Sequence, residues 1–197
     1  MKQKLLIALL AACAVTAQAA LKIGDKIPAT DVKLKGEGGK ETTLAELKGK
    51  RGMLVVITCN NCPYAVAWER RIVDIGNEWS QKNDLGVVAI NPNDPNISPS
   101  DSLEKIVARS KKEFYKFPYL MDSTQKLSKA FGATKTPECF LFDNKGTLVY
   151  HGAVDDNHKD EKKVQQRYLR DALNAMRHGE KIPVAETKAM GCGVKYR

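Results

Sequence analysis

The chain has 197 residues, 43% of them hydrophobic, and a formal net charge of +9 from 32 basic and 23 acidic side chains. That length suits a single α/β domain with a sizeable core, so disulfide staples are not needed for stability. The positive charge comes without a recognised nucleic-acid module or interleaved aromatics, which excludes nucleic acid as the expected partner and leaves a solvated basic face.

Residues 1–19 read as a cleaved signal peptide. Lys2 and Lys4 form the positive start, Leu5 to Ala17 an uncharged apolar run, and Ala17-Gln18-Ala19 the small-x-small cleavage pattern. The apolar run is shorter than the ~20 residues a membrane span needs. The expected address is therefore the periplasm or cell envelope, with residues 20–197 as one folded domain. Leu10-Ala11-Ala12-Cys13 also fits a lipoprotein signal, so membrane attachment is expected only if Cys13 is lipidated.

Ala29–Leu34 and Glu41–Leu44 flank Gly36-Glu37-Gly38-Gly39 and predict an N-terminal β-hairpin. Met53–Thr58 is almost wholly apolar, as a strand buried on both faces should be. From Tyr64 to Gln81 the apolar spacing becomes helical, and Leu85–Ile90 is the next strand, closing a β-α-β unit. Asn91–Asn96 is turn chemistry. Ser100 or Asp101 caps a helix running through Leu103, Ile106 and Val107. A brief extended segment at Phe117–Met121 and a short helix at Ser123–Phe131 follow. Cys139–Phe142, Asp143-Asn144-Lys145-Gly146 and Thr147–Tyr150 spell a second hairpin. An amphipathic helix over Glu161–Arg177 and a polar tail complete the chain. This order predicts an α/β thioredoxin-like fold: a central mixed sheet flanked by helices.

Cys59-Asn60-Asn61-Cys62-Pro63 stands at the junction of strand and helix. Two thiols at this spacing can close a small reversible disulfide, and a helix's first turn stabilises a thiolate, the form that attacks disulfides and peroxides. Cys59 is expected exposed and nucleophilic, and Cys62 buried as the resolving thiol. Thr136-Pro137 precedes the Cys139 strand, and in thioredoxin-like folds a cis-proline at this place packs against the redox pair. There the backbone of the preceding residue pairs with a bound partner chain, which makes Thr136 and Pro137 the expected substrate contacts; the alternative is a trans proline opening a strand. Zinc held by Cys59, Cys62, Cys139 and Cys192 is a rival reading, but no second short-spaced ligand pair appears, so no metal and no cofactor is expected. His151, His158 and His178 read as scattered surface residues, Asp155-Asp156 as a solvated turn. Glu69 reads as a solvated helix residue, or as a proton relay if it faces the sulfurs.

In these stretches the chain resembles the peroxiredoxin-like branch of the thioredoxin superfamily, the alkyl hydroperoxide reductase/thiol-specific antioxidant (redoxin) grouping. The matching residues are Cys59–Tyr64, Ala89–Asp94, Phe117–Asp122, Thr136–Asp143, Leu148–Asp156 and the terminal Gly191–Lys195. The resemblance implies Cys59 and Cys62 as the redox pair and Pro137 as the cis-proline. Cys192 matches a C-terminal cysteine of the family, as an accessory thiol folded back on the site or as a structural partner of Cys139. The chain departs from the peroxidatic pattern Pro-x-x-x-Thr-x-x-Cys: no proline precedes the site, and Cys59 stands where the threonine would be. The expected function is thiol–disulfide oxidoreduction on protein or small-molecule disulfides or thiols, with a redox partner that resets Cys59–Cys62. A thiol peroxidase and a non-enzymatic metal-binding thiol protein are the alternatives.

Overall fold

The computed structural model describes residues 20–197, so the expected signal segment and Cys13 lie outside the described residues. The strands are β1 (Leu34–Lys35), β2 (Glu41–Thr42), β3 (Met53–Ile57), β4 (Gly86–Asn91), β5 (Tyr119–Met121), β6 (Lys135–Thr136), β7 (Glu138–Phe142), β8 (Leu148–Gly152) and β9 (Cys192–Gly193). The helices are α1 (Leu44–Leu47), α2 (Pro63–Lys82), α3 (Leu103–Lys112), α4 (Lys126–Ala130) and α5 (Tyr168–His178). Among the described residues, seven strands form one mixed sheet in the order β2-β1-β5-β4-β3-β7-β8, and β6 and β9 form a separate two-stranded ribbon. β3 runs parallel to β4, and β4 to β5, while β7 is antiparallel to β3 and β8 to β7. This is the expected thioredoxin-like arrangement.

The central strand explains why both faces need cover. Along β3, Leu54 and Val56 point into one core with Trp68, Ile72 and Trp79 of α2 and Leu169 and Leu173 of α5. Met53, Val55 and Ile57 point into the other, with Phe131, Phe140 and Phe142. Side chains alternate with period two, so a strand apolar at every position must be sandwiched. α2 begins with Pro63, whose missing N–H costs nothing in a first turn. The helix packs closely enough against the β5 approach that a Cβ on Gly76 would lie 2.2 Å from the Phe117 ring.

Several boundaries differ from expectation for local reasons. The first hairpin pairs only Leu34 with Thr42 and Lys35 with Glu41, because Thr43 leaves the strand to cap α1. There the Thr43 hydroxyl accepts from the Glu46 N–H and the Glu46 carboxylate accepts from the Thr43 N–H at 3.0 Å, a reciprocal capping box. Ser102, not Ser100 or Asp101, caps α3, since the Asp101 carboxylate is engaged elsewhere. The last helix starts at Tyr168 rather than Glu161. Asp156 holds Gln165 and Gln166 extended, through its carboxylate and its N–H, after a single 3-10 turn at Glu161–Lys163. Among the described residues no helix is long and apolar enough to cross a membrane.

Candidate redox-active site

β3 ends at Ile57, and the chain crosses Thr58–Asn61 before entering α2, which leaves both thiols at the carboxyl end of the sheet. Cys62 is the N-cap residue of α2, its carbonyl accepting the Val66 N–H at 2.9 Å. Cys59, Cys62 and Ala65 form a small apolar cluster that Tyr64 and Cys192 pack against. Thr136 closes the site from the other side through a cis bond to Pro137. Its hydroxyl lies 3.2 Å from the Cys59 sulfur, and its carbonyl accepts a hydrogen bond from the Cys62 thiol at 3.0 Å. The sequence-predicted residues Cys59, Cys62, Thr136, Pro137 and Cys192 are thus brought together. All four cysteines of residues 20–197 are free thiols.

One expectation about the two thiols is met and one is not: Cys62 is buried as expected, but Cys59 is buried too. Cys59 was expected exposed, yet it is 7% exposed and Cys62 4%. Burial pushes the Cys59 thiol above its ordinary pKa, and the negative charge of Asp101 adds to the rise, more than the Thr136 hydroxyl recovers. Burial also raises Cys62, but there it is outweighed. Hydrogen bonds from the Cys192 thiol and the N–H groups of Ala65, Cys192 and Tyr64 hold Cys62 below the usual thiol range. The N–H of Cys192 lies 3.2 Å from the Cys62 sulfur. In turn the Cys62 sulfur, with burial, pushes the Cys192 thiol up to about 11. The site therefore eases ionisation at Cys62, where the helix begins, and opposes it at Cys59, one turn before.

The loop between the cysteines is held by residues that sequence reasoning missed. The Asn60 N–H donates to the Asp101 carboxylate at 2.7 Å, and its side-chain amide donates to the Ser100 carbonyl. Its amide oxygen accepts from the Tyr119 hydroxyl, and its backbone carbonyl from Arg109 at 3.0 Å. Asp101 is fully buried and also accepts from Asn91, Asn93 and Ser98. In the sequence, Asn91 and Asn93 read as turn residues within a stretch that carries the family resemblance, with no role assigned, and Asp101 as a cap. Their shared carboxylate becomes visible only when the β4 end and the α3 entry meet beneath the cysteine loop.

Three other expectations are corrected. Glu69 is neither solvated nor aimed at the sulfurs: it grips Arg109 through two hydrogen bonds at 2.6 and 2.7 Å. Asp155 is buried rather than solvated, accepting from the Trp68 indole at 2.8 Å and pairing with Arg71. His151 is not a surface residue; its Nε2 lies 2.7 Å from the Glu138 carboxylate in a largely buried contact. Cys139 lies in the core beside Leu54, Val56 and Leu141, separated from the cluster of Cys59, Cys62 and Cys192. Burial pushes its thiol well above the ordinary range. This placement removes both the four-cysteine zinc site and a Cys139–Cys192 pairing. Among the described residues, no three His, Cys, Asp or Glu side chains are grouped to hold a metal ion.

The comparisons agree with this architecture. A hypothetical protein from Sinorhizobium meliloti 1021 is 35% identical, with 91% of this chain and 97% of that one covered and a TM-score of 0.82. An uncharacterized conserved protein from Geobacillus kaustophilus is 30% identical, with coverage of 89% and 93% and a TM-score of 0.81. A peroxidoxin from Mycobacterium tuberculosis shares the fold at 13% identity, with coverage of 80% and 97% and a TM-score of 0.58. The sequence has no match among the curated proteins. Residues 23–151 match the AhpC/TSA family, a span that includes both cysteines, the Asp101 cluster and the cis-proline. A pair of free thiols at a helix N-terminus beside a cis-proline, within a thioredoxin-like sheet, is the arrangement of a thiol-based redox protein, and the chain belongs to the AhpC/TSA family.

Proposed function

We propose that the protein is an exported thiol–disulfide oxidoreductase that cycles a Cys59–Cys62 disulfide beside Thr136 and Pro137. The observation that carries the reading is the placement of two free thiols, Cys59 and Cys62, one turn apart at the start of α2 and both against Thr136, with ionisation favoured at Cys62. Cys62 attacks a sulfur of the substrate disulfide; one substrate thiol leaves, and a mixed disulfide forms at Cys62. Cys59 then attacks the Cys62 sulfur, the second substrate thiol leaves, and the protein is oxidised by two electrons. The raised pKa of Cys59 suits this later step, since it keeps the resolving thiol protonated until Cys62 is engaged. A partner thiol resets the pair. Oxidised glutathione and insulin are suitable probes of small and polypeptide disulfides: Cys62→Ser should abolish exchange with both, and an unchanged rate would remove the reading.

A second reading is peroxide reduction, in which the Cys62 thiolate becomes a sulfenic acid resolved by Cys59. Family membership and the eased ionisation of Cys62 favour it, and the absent Pro-x-x-x-Thr-x-x-Cys pattern counts against it. Export rests on the pattern of residues 1–19. Mass measurement of the protein recovered from an envelope fraction tests it: a chain starting at Ala20 is expected, and a full-length chain in the cytosol would contradict it.

A further inference from the structure

The tail after α5 is built into the molecule. Thr187 accepts from the Ala153 N–H through its hydroxyl and donates its own N–H to the His151 carbonyl. Beyond Cys192, the Val194 N–H donates to the Thr134 carbonyl, the Lys195 N–H to Asn93 at 2.8 Å, and the Tyr196 hydroxyl to the Ala133 carbonyl. Between these anchors, β9 pairs antiparallel with β6, and Cys192 stands opposite Thr136. The approach is so close at Gly191 that a Cβ there would lie 2.0 Å from the Thr136 carbonyl oxygen. β9 therefore lies along the backbone edge beside Pro137, and the main chain of Cys192 reaches the Cys62 sulfur.

We propose that β9 is a captive strand that holds Cys192 at the place of a substrate cysteine, as a second resolving thiol for Cys62. The inference rests on Cys62 being the attacking thiol in the function proposed above. In the step, Cys192 as thiolate attacks the Cys62 sulfur of a mixed disulfide. The Cys62–Cys192 bond forms, the bond from Cys62 to the substrate sulfur breaks, and the substrate leaves as a thiolate that takes up the proton Cys192 has lost. Substrate gains two electrons and the Cys62–Cys192 pair supplies them. Cys59 approaches Cys62 from the loop and Cys192 from the tail, so two oxidised forms share one sulfur. Exchange of Cys192 with a Cys59–Cys62 disulfide interconverts them, releasing the Cys59 thiol without net oxidation.

The test uses the reduced full chain, oxidised glutathione as oxidant, acid quenching, alkylation of free thiols and peptide mass mapping. In Cys59→Ser the expected product is an internal Cys62–Cys192 disulfide with no glutathione retained. Adding Gly191→Val, which drives a side chain into the Thr136 carbonyl, should abolish that disulfide and leave a glutathione adduct on Cys62. Gly193→Ala, where nothing lies within 4 Å, should retain it. A persistent adduct on Cys62 of Cys59→Ser with Cys192 alkylated would overturn the captive strand alone, because Cys62 would still have attacked. An unreactive Cys62 in the same variant would overturn both the strand's role and the assignment of the attacking thiol. Wild-type protein that yields Cys62–Cys192 but never Cys59–Cys62 would support the strand while contradicting the proposed cycle.

Discussion

Burial and neighbouring groups set ionisation at the site, and two of those neighbours, Cys192 and Asp101, can each be altered alone. Alkylation rate follows the thiolate fraction, so the Cys62 profile should have its midpoint below the ordinary thiol value of 9.0 and the Cys59 profile above it. Cys192→Ala removes a thiol donor but keeps the N–H, and should move the Cys62 midpoint upward in iodoacetamide profiles against pH; an unmoved midpoint would contradict the assigned cause. Asp101→Asn should act in the opposite sense on Cys59, lowering its midpoint by removing a nearby negative charge. It should also destabilise the fold by about 2–4 kcal/mol in urea titration, because an amide nitrogen would face donors that now share a carboxylate. The thiols themselves were legible from Cys59-x-x-Cys62-Pro63. Their order of reactivity was not, because it depends on Cys192, which is 130 residues from Cys62 in the chain.

Elements position the cysteine loop through pairings that cross the sheet's carboxyl end. α2 and α3 are joined by Glu69 and Arg109, with side chains 12% and 24% exposed, and Arg109 also holds the Asn60 carbonyl. Arg109→Met would leave the largely buried Glu69 carboxylate without its cation, at a cost of about 3 kcal/mol in urea titration. Gly76→Ala would press α2 away from Phe117 and cost about 1–3 kcal/mol, measured the same way. Periodicity revealed α2 to within a residue at either end, and the apolar runs at β3, β4 and β7, because these elements bury continuous faces. It did not reveal where α5 starts: Val164 continues the helical spacing, but Asp156 holds the following residues extended. It likewise gave no sign of the pairs Glu69–Arg109 and Arg71–Asp155, since a charged residue on a helix reads as solvated until its partner is placed.

At the scale of the whole molecule, the order of elements gave the fold, and the last dozen residues, polar by composition, cover the site; of the two places the resemblance left open for Cys192, the structure has it beside Cys62. With β9 seated, the edge beside Thr136 is occupied, so a polypeptide disulfide must displace the strand whereas a small disulfide need only reach the sulfur. Gly191→Val should therefore raise the rate of insulin reduction more than the rate with oxidised glutathione; equal effects on both would contradict this. The most direct test oxidises the reduced protein, as residues 20–197, with hydrogen peroxide and with oxidised glutathione side by side and maps the products by mass. Rapid formation of the Cys59–Cys62 disulfide from glutathione disulfide, with a peroxide reaction no faster than that of an ordinary thiol, is the expected result. Fast peroxide oxidation through a sulfenic acid at Cys62, with slow disulfide exchange, would contradict it and establish a peroxidase.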